Sequence, residues 1–279
     1  FVFECSDWNN SSTDGWDISP YGGGSIRSGV GFNGTAAWRA DITAGSHDSI
    51  YFAKGVPSSV GVGPLHARLY VKFSPGYVFM PSALQKMFYL NMDKQDQGLP
   101  YDRVMLGVTR ANTMGGSYTS LPHTVGIFGF DYIGHIQHFP DQPGDTPILI
   151  DPNRWYAVEL MAQWTSRTQN VVKVWVDGQL QMERRNVDDG VWTSAHTFTG
   201  VDDASHYGGN DPYYLPPQNQ FVYKDHHVLA TSYIGPIRAS TSLQGDLDGN
   251  GKVDLDDLRR MIYMLVGTVP PDLAKADLD

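Results

Sequence analysis

The sequence predicts an all-β protein: a two-sheet antiparallel sandwich over residues 1–240, followed by a small helical module over 241–279. Three observations carry this. Gly 30, Pro 17 and Tyr 15 in 279 residues imply many turns and half-buried aromatic faces. Leu65, Ala67, Leu69, Val71 and Phe73 alternate with His66, Arg68, Tyr70 and Lys72, the period of a strand with one buried and one polar face. No amphipathic helix precedes residue 250.

The elements follow in order. The strand over 65–73 ends at Ser74-Pro75-Gly76. Further strands are expected over 86–92, 103–110, 124–132, 155–164 and 170–176. Val174 to Leu180 reads as a hairpin with Asp177-Gly178 at its tip, because a tight two-residue turn needs positive φ at both positions. Residues 222–234 supply a late strand closed by Gly235-Pro236. Hydrophobic residues make up 41% of the chain, enough for a sizeable core.

Charge and cysteine content narrow the functional classes. A net charge of −10 argues against general nucleic-acid binding or binding to anionic membranes, both of which use basic patches. No apolar run is long enough to span a bilayer. Cys5 is the single cysteine, so no intrachain disulfide forms. The start at Phe1 fits a mature or trimmed chain.

The most specific motif is Asp246-Leu247-Asp248-Gly249-Asn250-Gly251-Lys252-Val253-Asp254-Leu255-Asp256-Asp257. A calcium-binding EF-hand loop needs oxygen ligands at its first, third, fifth, seventh, ninth and twelfth positions, with Gly at the sixth for the sharp turn. Asp246, Asp248 and Asn250 fill the first three, Lys252 offers its backbone carbonyl, Asp254 acts directly or through water, and Asp257 closes the shell. Leu255, Leu258, Ile262 and Leu265 then recur at helical spacing, and Gly267 with Pro270-Pro271 stops the helix. Calcium is therefore the expected cofactor.

Two resemblances follow. The strings Ala67 to Gly76, Asn153 to Glu159, Val174 to Gly178 and Ser232 to Pro236 resemble, in order and spacing, the concanavalin A-like jelly roll, especially its polysaccharide-lyase-like members. That resemblance implies two antiparallel sheets, one with a concave carbohydrate-binding surface. The calcium loop, its helix and the Pro-containing connector resemble a type I dockerin. Ala276-Asp277-Leu278-Asp279 echoes Gly245-Asp246-Leu247-Asp248, like the opening of a second loop that a neighbouring copy or further chain would complete. The family's usual Ser-Thr pair is replaced by Leu255-Asp256, which puts standard cohesin recognition in doubt. The expected setting is extracellular or at the cell surface, where calcium is plentiful. The expected partners are a polysaccharide and either a cohesin-like scaffold or neighbouring copies.

Candidate chemistry in the β domain centres on His66, Arg68, Tyr70 and Lys72, spaced about 7 Å apart along one strand face. Elimination at a uronate needs a group that neutralises the carboxylate and a base that takes the C5 proton. These four could supply both if their face lines the groove; otherwise they are ordinary solvated residues. His135-Ile136-Gln137-His138 resembles the Gln-Ile-His triplet of some alginate lyases, in the wrong order, and on a strand its two histidines would point to opposite faces. Adjacent His226 and His227 diverge on a strand. Glu159 lacks the second nearby carboxylate that a retaining glycosidase needs. Trp155, Trp164, Trp175 and Trp192 could stack on sugars or fill the core. Two readings result: a secreted polysaccharide-binding protein with a lyase-type activity, or a non-catalytic subunit assembled through its calcium module.

Overall fold

The computed structural model describes residues 2–6, 16–18, 24–46, 51–81, 84–93, 103–114, 116–132, 136–166, 168–187, 196–207, 215–237 and 258. The chain divides into two units, Phe1–Pro236 and Ile237–Asp279. The calcium-loop residues Asp246, Asp248, Asn250, Lys252, Asp254 and Asp257 lie outside the described residues, as do His135 and Trp192.

Among the described residues, sixteen strands, numbered along the chain, form two antiparallel sheets. The first runs β14 (Gln179–Val187), β13 (Asn170–Val176), β12 (Tyr156–Gln163), β6 (Leu65–Phe73), β16 (Gln220–Ala230), β4 (Ala37–Ile42), β3 (Gly24–Arg27). On it, β1 (Val2–Ser6) also pairs with β16. The second runs β10 (Ile136–His138), β9 (Gly126–Tyr132), β8 (Arg103–Arg110), β7 (Gln85–Met92), β15 (Phe198–His206), β5 (Tyr51–Gly55), β2 (Asp17–Ile18), with β11 (Leu149–Ile150) beside β9. The expected sandwich is thus observed. The predicted hairpin joins β13 to β14, with Asp177 at φ 51° and Gly178 at φ 80°.

The inner faces supply the core. Leu65, Ala67, Leu69, Val71 and Phe73 from β6 meet Phe88, Leu90 and Met92 from β7 and Val104, Leu106 and Val108 from β8. The core also holds charge. Asp203 of β15 accepts from Lys224 Nζ of β16 and faces His227 Nε2 at 2.5 Å. Lys224 Nζ donates as well to the carbonyls of Met87 (2.9 Å) and Ala204 (2.6 Å). An irregularity between Asp225 and Val228, with His226 at φ 48°, resets the alternation of β16. Lys224 and His227 therefore reach the same carboxylate although they are three residues apart. Burial outweighs the neighbouring carboxylate and lowers the Lys224 pKa.

One departure from the sequence reading concerns β6. Its polar face was expected to meet solvent or a groove, yet His66, Arg68 and Tyr70 are buried and only Lys72 is partly exposed. The cover comes from distant chain segments, described next.

Candidate functional site

The outer face of β6 is a latch for residues 233–236. Glu159 of β12 accepts from the backbone N–H of Ile234 (3.1 Å) and Gly235 (2.8 Å), and its Oε1 lies 2.6 Å from His66 Nδ1. Arg68 donates to the carbonyls of Gly235 (3.0 Å) and His226 (3.3 Å). The Tyr70 ring packs on Phe32 at 4.0 Å between centroids, and Trp175 stacks on His66 on one side and meets Tyr233 on the other. Three of the four residues singled out on β6 are therefore engaged in a buried network. Lys72 lies apart, between Trp155 and Tyr223.

A different constellation occupies the outer face of the second sheet. Asp202, Tyr89, Met105 and Asp131 lie opposite one another across β15, β7, β8 and β9. In the neighbouring row Asn91 faces Arg103. A register shift between Lys86 and Phe88 puts Lys86 on this same face opposite Gly107, while Gln85 turns inward to bond the Tyr77 hydroxyl at 2.8 Å. Gly107 is required here: a Cβ on it would stand 2.6 Å from the Gln85 carbonyl oxygen. Tyr89, Met105, Ala204 and Leu84 pack as a small buried cluster with Phe139 against it. Lys86, Asn91, Arg103 and Asp202 are partly exposed around it.

The electrostatics of this face are uneven. Burial lowers the Lys86 pKa, the Arg103 charge lowers it further, and Asp131 opposes both. Burial raises the carboxyl of Asp202, against a hydrogen bond from Asn91 and the attraction of Arg103; the Asp203 charge adds to the rise. The Arg103 guanidinium lies 4.1 Å from the centroid of the Tyr89 ring. The face thus sets a lysine whose pKa is lowered and an aspartate whose pKa is raised within the field of one arginine.

The remaining sequence candidates are dispersed. His138 stacks on Phe130 at 4.9 Å, and burial, then the Arg184 charge, lowers its pKa. His226 and His227 diverge: His227 enters the core against Asp203, while His226 meets the rings of Phe32 and Tyr70. Trp164 is fully buried. No group of three or more potential metal ligands occurs among the described residues, and no helix among them is long and apolar enough to cross a membrane.

No protein-family model matches this sequence, and no curated protein does. Solved structures do share its fold. An alginate lyase, Aly36B, in a variant complexed with alginate trisaccharide, superposes with a TM-score of 0.56 at 12% identity, covering 84% of this chain and 98% of that one. The cellulose-induced protein Cip1 gives 0.56 at 14% identity over 84% and 100%. The endo-β-1,4-glucuronan lyase of Trichoderma reesei gives 0.52 at 15% identity over 83% and 96%. The jelly-roll sandwich is the fold of polysaccharide lyases that act on uronate polymers. At these identities the likeness is one of fold.

Proposed function

We propose that the β domain binds a uronate-containing polysaccharide on the outer face of its second sheet and cleaves it by β-elimination. The observation that carries this reading is one partly open face, built from adjacent strands, that holds Lys86, Asn91, Arg103 and Asp202, with the Arg103 charge acting on both Lys86 and Asp202. Similarity of fold to alginate and glucuronan lyases supports the substrate class.

In this reading Arg103 and Asn91 hold the uronate carboxylate and spread the charge that builds as the C5 proton leaves. Lys86, whose pKa burial lowers, takes that proton. The electron pair forms the C4–C5 double bond and expels the glycosidic oxygen. Asp202, whose carboxyl pKa burial raises, gives its proton to that oxygen. Substituting Arg103→Ala should weaken binding of alginate-derived oligosaccharides at least tenfold by calorimetry. Unchanged affinity would remove Arg103 from the site.

The acidic loop motivates the second part of the proposal. Asp246, Asp248, Asn250, Lys252, Asp254 and Asp257 bind calcium, and the module attaches the domain to a scaffold or a neighbouring copy outside the cell. What supports this is the match of residue types to each ligand position and of Gly251 to the turn. A non-catalytic assembly role would be favoured if calcium changed the oligomeric mass while no uronate polymer was bound.

A further inference from the structure

Among the described residues, those that cover the outer face of the first sheet lie over one half of it. Glu159, Arg68 and Tyr70 lie beneath residues 233–236 and Phe32, whereas the other half carries a row of half-exposed aromatic and cationic side chains. Tyr223 of β16 lies opposite Lys72 of β6 on one side and Arg39 of β4 on the other. The Tyr223 ring is 6.4 Å from that of Trp155 and 5.0 Å from that of Phe221. Lys72 Nζ stands 5.5 Å from the Trp155 ring and 5.6 Å from the Tyr223 ring, and the Arg39 guanidinium lies 4.0 Å over Phe221.

Beside this row opens a cavity of about 420 Å³ lined by Arg39, Asp41, Ile42, Thr43, Asn219, Gln220 and Phe221. That volume falls within the roughly 300–1,000 Å³ usual for small-ligand sites. Asp41 accepts from Arg39 Nε at 2.7 Å and Tyr223 also interacts with the guanidinium, so the cation is held in place within the row. Two cations against one carboxylate make the row locally positive in a chain of net charge −10. Three partly exposed aromatic rings side by side are costly to leave in water unless something covers them.

We propose that this row is a second binding site, for a segment of anionic polysaccharide, on the sheet opposite the groove. The C–H faces of successive sugars pack on Trp155, Tyr223 and Phe221, and their carboxylates meet Lys72 and Arg39. From β4 to β12 the row crosses three strand spacings, about 15 Å, which suits an oligosaccharide rather than one sugar. The inference shares its substrate class with the function proposed above but none of its residues. Its role would be to retain the polymer rather than to react with it.

The test is calorimetry of the whole chain with alginate-derived oligosaccharides and, as a neutral control, cello-oligosaccharides. Six proteins are compared: wild type, Arg103→Ala, Tyr223→Ala, Arg39→Gln and the two doubles that join Arg103→Ala to Tyr223→Ala or to Arg39→Gln, with Arg39→Gln keeping the aromatic packing should Tyr223→Ala unfold. The expected result is binding that survives Arg103→Ala and weakens at least tenfold in Tyr223→Ala and Arg39→Gln when either is combined with Arg103→Ala. Loss of all binding in Arg103→Ala alone would overturn the second site. So would binding indifferent to Tyr223 and Arg39, equal affinity for the neutral oligosaccharide, or no binding at all. Binding that depends on Tyr223 and Arg39 but not on Arg103 would sink the groove reading and leave this one standing.

Discussion

Replacing Asp203 by Asn keeps the size of the side chain and removes the one carboxylate that both Lys224 and His227 face inside the sandwich. All three side chains are almost wholly buried. The Lys224 ammonium would keep its bonds to the Met87 and Ala204 carbonyls but lose its counter-charge. Breaking a buried pair from one side costs about 3–5 kcal/mol, chiefly because a charge stays buried uncompensated. For a domain of this size each kcal/mol moves the melting temperature by about 2–4 °C, so a fall of roughly 6–20 °C is expected. Because the folded pKa of Lys224 is below its unfolded value, the unfolded chain binds more protons between the two. Stability contributed by this lysine therefore rises with pH through that window, and Asp203→Asn should extend the rise to lower pH. Urea denaturation from pH 6 to 10 reads both effects. A loss under about 1 kcal/mol at pH 7, with an unchanged pH slope, would refute the reasoning. The triple change Asp203→Leu, Lys224→Met and His227→Leu should regain most of the loss, since an apolar replacement leaves no charge to compensate.

Other perturbations probe the remaining parts. Glu159→Ala removes the acceptor of two backbone N–H groups in residues 233–236 and the partner of His66, so a loss of about 3 kcal/mol in urea unfolding is expected. A loss below about 1 kcal/mol would mean that the latch is held elsewhere. Asp202 is held above its ordinary pKa, so the wild type loses stability relative to Asp202→Asn as the pH rises from about 4 through that elevated value; denaturation midpoints at pH 4 and 7 that differ equally in both proteins would contradict this. Calcium titration by calorimetry should show one binding event that vanishes in Asp246→Ala, and chelation should leave the unfolding of the β domain unchanged.

Much of the sandwich is legible because its central strands are locally consistent. Leu65–Phe73 and Arg103–Arg110 are found at the bounds that alternation and turn residues imply, and Asp177-Gly178 makes the expected hairpin. Phe198–His206 is not legible: Gly200, Asp202, Asp203 and Ser205 read as a turn, and only Lys224 and His227, distant in sequence, make a buried Asp203 tolerable. The same reason separates the two candidate faces. On β6 the polar residues alternate without interruption, but what covers them is Phe32 and residues 233–236, which spacing along one strand cannot reveal. On β7 the signal was present in Lys86, Tyr89 and Asn91, but the irregularity after Lys86 breaks the period of two, so counting alternate residues misses that they share a face.

In the proposed reaction Lys86 and Arg103 act together on a uronate polymer. Ultraviolet absorbance of unsaturated uronate ends, followed during incubation with alginate and glucuronan in calcium, tests it most directly. Absorbance should rise with at least one polymer, and Lys86→Met and Arg103→Ala should slow the rise by about 10²–10⁴-fold. Absorbance that persists in both variants but vanishes in His66→Ala or Tyr70→Phe would move the chemistry to β6, and no absorbance with either polymer would contradict the lyase reading.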